Sequence, residues 1–284
     1  MISLAVLVPL VFAVAAAPAA ASESTPGFPY YTGEEFQALY EYAATNTLPN
    51  LAQPAGRGPI TGNADVDARI WELAVTRGYR LRPIATGGLV TVDGVPMQAP
   101  AAEAWVALRA EARLNGLSFI VSSAYRSLQA QRTHFLGKLT GTSDDAIDAA
   151  LTWYSVPGTS KHHSGYALDF RYRDGTFGGF RDTPDYAWLS ADNFAVAKKH
   201  GFIPSYPDDV LDQGPNPEPW EFVWVGTDMI RCGIPFDIEQ SRYVAGHRSW
   251  LSEGLATCPG SLTIADLDYM LGNWGRKIEA MLNA

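Results

Sequence analysis

The sequence predicts an α+β fold, in which helices and strands follow one another without the regular alternation of a doubly wound sheet. Helical patterns, with apolar side chains three and four residues apart, recur along the chain. The stretch 89–97 alternates around Asp93-Gly94, a pair typical of a β-hairpin. Short apolar strand patterns occur at 117–122 and 165–172, at irregular intervals between helices. This order of elements favours a mixed fold over parallel βαβ units.

The first helix is predicted to begin at a capping box. Thr32 is followed three residues later by Glu35, an arrangement that satisfies two amide groups at a helix start. The apolar face of this helix consists of Phe36, Leu39 and Tyr40. The residues that follow, 49–62, are rich in proline and glycine and predict a linker.

Two further helices are predicted on either side of the hairpin. Asn63 is expected to cap the first of them and Gly78 to end it. Its apolar face consists of Val66, Ile70 and Leu73. The second begins at Pro100 and ends at Gly116, because proline suits the first turn and glycine the C-terminal end. Its inward side chains are Trp105, Leu108 and Ala112.

The strand at 117–122 leads to Ser127, which is predicted to cap a helix that contains Gln131. After this helix, the residues 139–158 form a long insertion with a helix of its own predicted at 144–154. A segment of this length beside a site is expected to act as a lid or a substrate wall.

The second half of the chain continues with the strand 165–172 and a helix at 184–200, which Gly201 ends. The last clear strand is predicted at 222–225. Beyond it, 263–282 has the spacing of an amphipathic helix, for which packing on a core is favoured over a cofactor or partner stripe. Its apolar positions are Ile264, Leu267, Leu271, Trp274, Ile278 and Met281.

The charge of the chain limits its partners. The formal net charge is −9 at pH 7, and lysine and arginine do not form a block anywhere in the sequence. Nucleic acids and anionic membranes are bound through basic patches. The sequence therefore predicts a protein that binds neither.

The N-terminus has the pattern of a signal peptide, assigned to residues 1–21. Residues 2–17 are almost wholly apolar, and Ala19, Ala20 and Ala21 supply the small side chains that a signal peptidase reads. The apolar run is short for a membrane span, so cleavage is favoured over anchoring, although no lysine or arginine precedes it. We expect an exported protein, periplasmic or secreted, with no stable membrane insertion after cleavage.

Cys232 and Cys258 are the only cysteines, and in an oxidising compartment we expect them to form a disulfide. Closing a loop of this length would contribute about 3–4 kcal/mol in the chain-entropy model. The alternative is a pair of zinc-binding thiolates, but the CxxC spacing typical of such sites is absent from the sequence.

Three segments carry residues suited to metal-dependent hydrolysis. In the first, Arg126 directly follows a strand; in the second, His162 and Asp169 flank a turn at Gly165. An imidazole on a loop and a carboxylate on the next strand can converge on one cation. By itself the second segment also fits a solvent-facing histidine pair before an edge strand. The third segment, 218–222, adds two carboxylates at the entrance to a strand.

These segments resemble the D-alanyl-D-alanine carboxypeptidases of the VanY-like type, which share a core fold with lysostaphin and the hedgehog signalling domain. The resemblance covers roughly 70–226. The pattern Ser-x-His-x-x-Gly-x-Ala-x-Asp is met at Ser160, His162, Gly165, Ala167 and Asp169. The upstream pattern is met at Ser123, Tyr125, Arg126, Ser127 and Gln131. The resemblance implies a small antiparallel sheet that carries the metal site and is flanked by helices.

The resemblance also implies roles for single residues. His162 and Asp169 match zinc ligands, Glu218 matches the general base, and Arg126 matches the cation that stabilises the oxyanion. Without the family context, Arg126 also fits a structural ion pair and Glu218 a turn carboxylate. Positions assigned to substrate binding are Ser160, Gln131, Tyr125 and Trp220.

One departure from the family pattern concerns the third metal ligand. The family has histidine in Glu-x-Trp-His, and this chain has Glu221; the arginine common two residues later is Val223. A His/Asp/Glu ligand set is chemically sound, and its extra carboxylate favours harder ions such as Mn²⁺ or Fe²⁺ in competition with Zn²⁺. The alternative is that Glu221 is a solvated or hydrogen-bonded carboxylate in a site that has lost its metal.

The resemblance implies a zinc metallopeptidase that removes terminal D-alanine from peptidoglycan stem peptides, acting as a monomer. Two alternatives stay open: a non-catalytic protein that binds cell-wall peptides, and a dipeptidase or endopeptidase of the same fold. We divide the chain into an N-terminal helix and linker at 22–62, a peptidase domain at 63–226, and a helical extension at 227–284.

Overall fold

The computed structural model describes residues 28–53, 56–172, 175 and 177–234. The predicted signal peptide at 1–21, Cys258 and the amphipathic helix at 263–282 lie outside the described residues, so these assignments stay predictions. Within the described residues, no helix combines the length and the apolar character needed to cross a membrane.

The N-terminal half contains three of the predicted helices and the predicted hairpin. Each predicted N-terminal signal is used: Thr32 forms a capping box with Glu35, and the Asn63 side chain accepts hydrogen bonds from two amides of the next helix. The elements in order are α1 Gly33–Asn46, β1 Leu51–Ala52, α2 Ala64–Thr76, β2 Ile84–Ala85, β3 Leu89–Val92, β4 Val95–Gln98 and α3 Ala99–Leu114.

The C-terminal half supplies the main sheet. Ser127 caps its first helix as predicted. The elements in order are β5 Ile120–Ser123, α4 Leu128–Leu136, α5 Asp144–Leu151, a 3₁₀ turn Lys161–Ser164, β6 Ala167–Arg171, a second 3₁₀ turn Phe177–Asp182, α6 Pro184–Lys199, β7 Phe202–Tyr206, β8 Glu218–Trp224 and α7 Thr227–Cys232.

Four of these strands form one sheet in the order β5-β6-β8-β7, and every neighbouring pair is antiparallel. Two smaller sheets, β1-β2 and β3-β4, have two strands each. Because β6 and β8 are central, both of their edges are hydrogen-bonded to neighbours. The predicted α+β fold with a small antiparallel sheet between helices is confirmed.

The main core lies between the sheet and the helices α1, α3 and α6. Trp105 of α3 is fully buried and stacks on Phe170 of β6, with 5.2 Å between ring centroids. From α1, the predicted face of Phe36, Leu39 and Tyr40 is buried in the same core. Burial of aromatic side chains of this size is the main source of stability in such a domain.

A second hydrophobic cluster fixes the insertion 139–158. Ile147 and Leu151 of α5 pack with Ile70 of α2 and Phe135 of α4. The Tyr79 hydroxyl donates a hydrogen bond to the Leu151 carbonyl at 2.6 Å. The insertion is therefore packed against the body of the protein. Its helix ends at Leu151, three residues earlier than predicted.

The predicted helix 184–200 is interrupted. Ala191 is extended, and Asp192, Asn193 and Phe194 all have positive φ. The Asn193 side chain explains the break, because it accepts the Tyr31 amide proton at 2.9 Å and donates to the Tyr31 carbonyl at 2.8 Å. A side chain that satisfies backbone groups of another segment in this way competes with helix continuation.

Two strands differ from the prediction. β7 was not predicted, and β8 begins at Glu218 instead of residue 222. Both contain a proline, Pro204 in the middle of β7 and Pro219 at the second position of β8, which weakens a strand pattern in the sequence. The predicted linker 49–62 also contains β1, which pairs with β2.

Candidate active site

The histidine motif forms a tight turn at the start of β6. The Ser160 side chain accepts the His162 amide proton at 3.3 Å, and Gly165, at φ 75°, ends the 3₁₀ turn in the left-handed region that glycine adopts readily. His162 and His163 are buried, at 3% and 0% exposure, so they are not a solvent-facing pair. The predicted turn at Gly165 brings the chain back into the sheet.

His162 presents one defined nitrogen to the site. Its Nδ1 lies 2.5 Å from the Ala124 carbonyl oxygen, an acceptor, so Nδ1 carries the proton in the neutral ring. The other nitrogen, Nε2, lies 3.3 Å from Asp169 Oδ1 and 3.3 Å from Glu221 Oε2. A backbone carbonyl that holds one ring nitrogen in this way is typical of metal-binding histidines.

The two carboxylates are brought together by the sheet. Asp169 on β6 lies directly opposite Glu221 on β8 in the antiparallel register. Both side chains are buried, at 5% and 4% exposure. Like charges opposite each other on neighbouring strands are destabilising unless a cation compensates them. The ligand atoms of His162, Asp169 and Glu221 all lie within 4.8 Å of one another, so these residues could hold a metal ion.

The donor set fits a small divalent cation. Tetrahedral ligands at about 2.0–2.1 Å from a zinc ion are separated from one another by about 3.3 Å. The separations from His162 Nε2 to the two carboxylates are both 3.3 Å. Asp169 Oδ1 is also a buried oxygen without a hydrogen-bond partner within the described part of the chain. Such an orphaned acceptor is costly unless a cation binds it.

An irregularity in β8 brings Glu218 to the same site. In a regular strand, residues three apart point to opposite faces. Here Pro204 of β7 pairs with Phe222, but Tyr206 pairs with Glu218, so β8 carries extra residues between these pairs. The regular alternation is interrupted within this bulge. The Glu218 side chain is buried, at 8% exposure, and interacts with the Glu221 side chain.

The surroundings of Glu218 and Glu221 shift the pKa values of the two glutamates in opposite directions. Burial raises the pKa of Glu218 well above its usual value, and the Glu221 and Asp169 carboxylates raise it further. Burial also raises the pKa of Glu221, but His162 and the Ser205 hydroxyl outweigh burial and lower it overall. The raised pKa makes Glu218 the stronger base, suited to take up and return a proton, while Glu221 is suited to stay charged, the division of roles that acid–base chemistry needs.

Arg126 borders the carboxylates. Its guanidinium donates to Gln131 Oε1 at 2.9 Å and to Ser123 Oγ at 3.1 Å, and lies 3.7 Å from Asp169 Oδ2. Its amide donates to the His162 carbonyl at 3.1 Å. The structure therefore brings all five predicted catalytic and metal-binding residues together.

The residues predicted to bind substrate have different surroundings. Ser160 caps the histidine turn, and Gln131 orients Arg126 while donating to the Ser155 carbonyl at 2.6 Å. Tyr125 is half-buried, and its amide donates to the Pro96 carbonyl at 2.8 Å. Trp220 is half-buried, with its ring 6.1 Å from that of Trp153 in the insertion. Their roles in substrate binding stay predictions.

The other described histidines have structural contacts. The His163 Nε2 accepts the Gly158 amide proton at 2.9 Å, while Nδ1 lies 2.7 Å from the Arg126 carbonyl. The ring of His134 packs against that of Tyr154, with 5.0 Å between ring centroids, and His200 Nε2 lies 2.7 Å from Glu111 Oε2. None of these three histidines belongs to the group formed by His162, Asp169 and Glu221.

Two residues next to the site were missed by sequence reasoning. Ser205 on β7 donates from Oγ to Glu221 Oε1 at 2.6 Å. Lys161 is buried at 1% exposure, and its Nζ lies over the rings of Tyr40 and Tyr206 at 4.6 and 4.2 Å. Lys161 lies within the histidine motif, where a lysine signals nothing by itself, and Ser205 lies on the strand that was not predicted.

Comparison with known proteins gives consistent matches. The chain is 34% identical over 124 residues to a D-alanyl-D-alanine carboxypeptidase of Enterococcus faecalis, a match that covers 41% of this chain and 44% of that protein. The chain spans about half the length of the curated relatives it matches.

Two solved structures are also similar. VanYB in complex with D-alanine-D-alanine is 30% identical, with a TM-score of 0.42, over 50% of this chain and 79% of that one. A mutant of the vancomycin resistance D,D-pentapeptidase VanY in complex with Zn(II) is 28% identical, with a TM-score of 0.44, over 56% and 91%.

The family model described as VanY, D-alanyl-D-alanine carboxypeptidase, matches residues 95–227. Arg126, His162, Asp169, Glu218 and Glu221 all lie inside this segment. Residues 95–227 of this chain therefore match the D-alanyl-D-alanine carboxypeptidase family that VanY represents.

Proposed function

We propose that this protein is an exported, metal-dependent D,D-carboxypeptidase that removes terminal D-alanine from peptidoglycan stem peptides. The observation that carries the proposal is the buried group of His162, Asp169 and Glu221 beside Glu218 and Arg126. The family match over the segment that holds all five residues supports it. The predicted signal peptide supports export, and the net charge of −9 fits a partner other than nucleic acid.

His162 Nε2, Asp169 Oδ1 and Glu221 Oε2 are the atoms that would hold the metal. When bound, the ion would act as a Lewis acid that polarises the scissile carbonyl and makes water a better nucleophile. Zn²⁺ is the first candidate, since a similar protein was solved with Zn(II). The second carboxylate favours competition from Mn²⁺ or Fe²⁺.

The remaining groups would move protons and stabilise charge. Glu218 would accept a proton from the attacking water at its carboxylate and return it to the leaving amine. The Arg126 guanidinium, held by Gln131 and Ser123, would stabilise negative charge that develops on the carbonyl oxygen of the substrate. Because Arg126 is fixed before substrate binds, little reorganisation would be needed during the reaction.

The test combines metal content with product analysis. The purified protein is incubated with defined stem peptides, with Zn²⁺ or Mn²⁺, and the products are identified by mass. We expect release of a single D-alanine, and a loss of turnover of about 10²–10⁴-fold in Glu218→Gln with metal binding retained. Protein that stays metal-free under saturating Zn²⁺ and Mn²⁺ would contradict the proposal, and release of a dipeptide or an internal cut would redirect it within the enzyme class.

A second candidate is a protein that binds cell-wall peptides without cleaving them. The observation that favours it is Glu221, which replaces the histidine of the family pattern. Binding alone predicts equal peptide affinity in the original protein and in Glu218→Gln, with no product from either. Isothermal titration with the same stem peptides separates this candidate from a hydrolase.

A further inference from the structure

Ser205 lies at the point where β7 and β8 leave regular pairing. Pro204 is opposite Phe222 and Tyr206 is opposite Glu218, so Ser205 alone spans the extra residues of β8. Its side chain is fully buried. Bulges of this kind commonly turn a side chain toward a functional site.

The backbone carbonyl of Ser205 is held by two side chains from outside β7 and β8. Its carbonyl oxygen accepts a hydrogen bond from Lys161 Nζ at 2.5 Å and another from Gln37 Nε2 at 2.5 Å. Lys161 Nζ also donates to Gln37 Oε1 at 3.0 Å, which links the two donors. A carbonyl bound by two buried donors has little freedom to rotate. The backbone position from which the Ser205 side chain projects is therefore fixed by the surrounding structure.

The hydroxyl of Ser205 gives the two carboxylate oxygens of Glu221 different surroundings. Oγ donates to Oε1 at 2.6 Å, while Oε2 lies 3.3 Å from His162 Nε2. An oxygen engaged in a short hydrogen bond to a hydroxyl is a poorer metal ligand than its free neighbour. Oε2 of Glu221 therefore lies beside the other candidate ligands, while Oε1 is held by the Ser205 hydroxyl.

We propose that Ser205 is a positioning residue that makes Glu221 a one-oxygen metal ligand. Without it, Glu221 could bind the ion through both oxygens and occupy the position that a catalytic site leaves open for water. This inference rests on the proposed function, because it requires that Glu221 bind the metal. It explains how a carboxylate can take the place of a histidine, which has only one nitrogen to offer.

The test compares Ser205→Ala with Ser205→Thr, which keeps the hydroxyl. Zn²⁺ affinity is measured by competition with a chromophoric chelator, and the visible spectrum of the Co²⁺ form reports the coordination number. We expect Ser205→Ala to weaken Zn²⁺ binding about 10–100-fold and to change the Co²⁺ spectrum, with Ser205→Thr within about threefold of the original protein. Affinity and spectrum that are both unchanged in Ser205→Ala would overturn the inference.

A second background separates positioning from a general effect on the strand. Glu221→His has no carboxylate at position 221 for Ser205 to bind. Adding Ser205→Ala to this variant should therefore change Zn²⁺ affinity less than about threefold. An equal loss in both backgrounds would show that Ser205 acts through folding alone and would overturn the inference. Should Ser205→Ala not fold, Ser205→Cys is measured instead, and its weakly donating thiol should give an intermediate loss.

The outcome also distinguishes this inference from the proposed function. If the original protein binds metal and Ser205→Ala has the same Zn²⁺ affinity and the same Co²⁺ spectrum, the inference alone fails. If the original protein binds neither Zn²⁺ nor Co²⁺, the proposed function fails and the inference fails with it.

Discussion

At the scale of single residues, the site is a concentration of negative charge that the rest of the fold must stabilise. Asp169 and Glu221 are buried beside one imidazole, and the buried Glu218 interacts with both of these carboxylates. Burial lowers the pKa of His162, but Asp169 and Glu221 outweigh burial and raise it to about 9. A proton and a cation therefore compete for the same nitrogen, so metal binding should release a proton.

Replacing Glu221 with histidine should shift metal preference. The substitution removes one anionic oxygen donor and adds a neutral nitrogen donor, which suits Zn²⁺ better than Mn²⁺. We expect the ratio of Zn²⁺ to Mn²⁺ affinity to rise at least about tenfold, measured by competition titration. Glu221→Gln, which removes the charge but keeps an oxygen, is the matched control and should not show this rise. An unchanged ratio in Glu221→His would argue that residue 221 does not bind the ion.

Lys198, which lies outside the candidate site, should make the free energy of unfolding depend on pH. Burial lowers the pKa of Lys198 to about 8, although Nζ donates to the Pro29 carbonyl at 2.7 Å and to Asn193 Oδ1 at 2.6 Å. Between this value and the ordinary lysine pKa of about 10.4, the unfolded chain binds the proton and the folded protein does not. The stability contributed by Lys198 therefore increases as pH rises through this window and is lost as pH falls toward 8.

The measurement compares the original protein with Lys198→Met, which keeps the apolar stem. Between pH 8 and pH 10, the free energy of unfolding of the original protein should increase by about 1–2 kcal/mol more than that of the variant, allowing for partial solvent screening. Tyrosine ionisation affects both proteins equally. Parallel curves for the two proteins would contradict the prediction.

At the scale of elements, the helices were largely predictable and the sheet only in part. Capping residues such as Thr32, Asn63 and Ser127 act on their nearest neighbours in sequence, so the sequence is sufficient to place helix starts. β7 was missed because it contains a proline and is buried on both sides, which leaves no alternating pattern. The break in α6 depends on contacts with Tyr31, more than a hundred residues away.

The break in α6 gives a direct test of such distant contacts. Asn193 makes three hydrogen bonds through its side chain, to both backbone groups of Tyr31 and to Lys198. Its backbone has φ 56°, a conformation that asparagine tolerates better than alanine. Asn193→Ala should therefore lower the free energy of unfolding by about 2–4 kcal/mol, measured by urea denaturation.

The neighbouring Asp192 offers the control. It also has positive φ, at 50°, and glycine adopts this conformation readily. Asp192→Gly should leave stability within about 1 kcal/mol of the original protein. A large loss at both positions would mean that the whole segment is sensitive, independent of the Asn193 hydrogen bonds.

At the scale of the whole molecule, the candidate site joins segments that only the fold brings together. His162 and Asp169 flank a single turn, so the sequence places them close together, but their roles as metal ligands were implied by the family resemblance and not by the spacing alone. The contact of Asp169 with Glu221 depends on the pairing of β6 with β8, which are not consecutive strands. The Ser205 hydrogen bond depends on a bulge, and no pattern in the sequence indicates that bulge.

Because the three candidate ligands come from separate elements, a bound ion should stabilise the entire domain. A ligand at about 100 times its dissociation constant adds about 2.7 kcal/mol to the free energy of unfolding, provided that it does not bind the unfolded chain. We expect the melting temperature of chelator-treated protein to rise on addition of Zn²⁺. His162→Ala should show no such rise, and Ser127→Ala, which removes only a helix cap outside the site, should retain it. A rise that persists in His162→Ala would point to binding elsewhere.

The packing of α1 has a consequence for the smallest unit that can fold. The family match begins at residue 95, yet Phe36, Leu39 and Tyr40 belong to the same core as the sheet, and Gln37 holds the carbonyl of Ser205. A fragment that begins at residue 95 would expose the part of the core that α1 covers. It would also lose Gln37, one of the two donors to the Ser205 carbonyl. The first helix is thus a built-in covering of the peptidase sheet, and any shortened version of this protein should keep the chain from residue 28 onward.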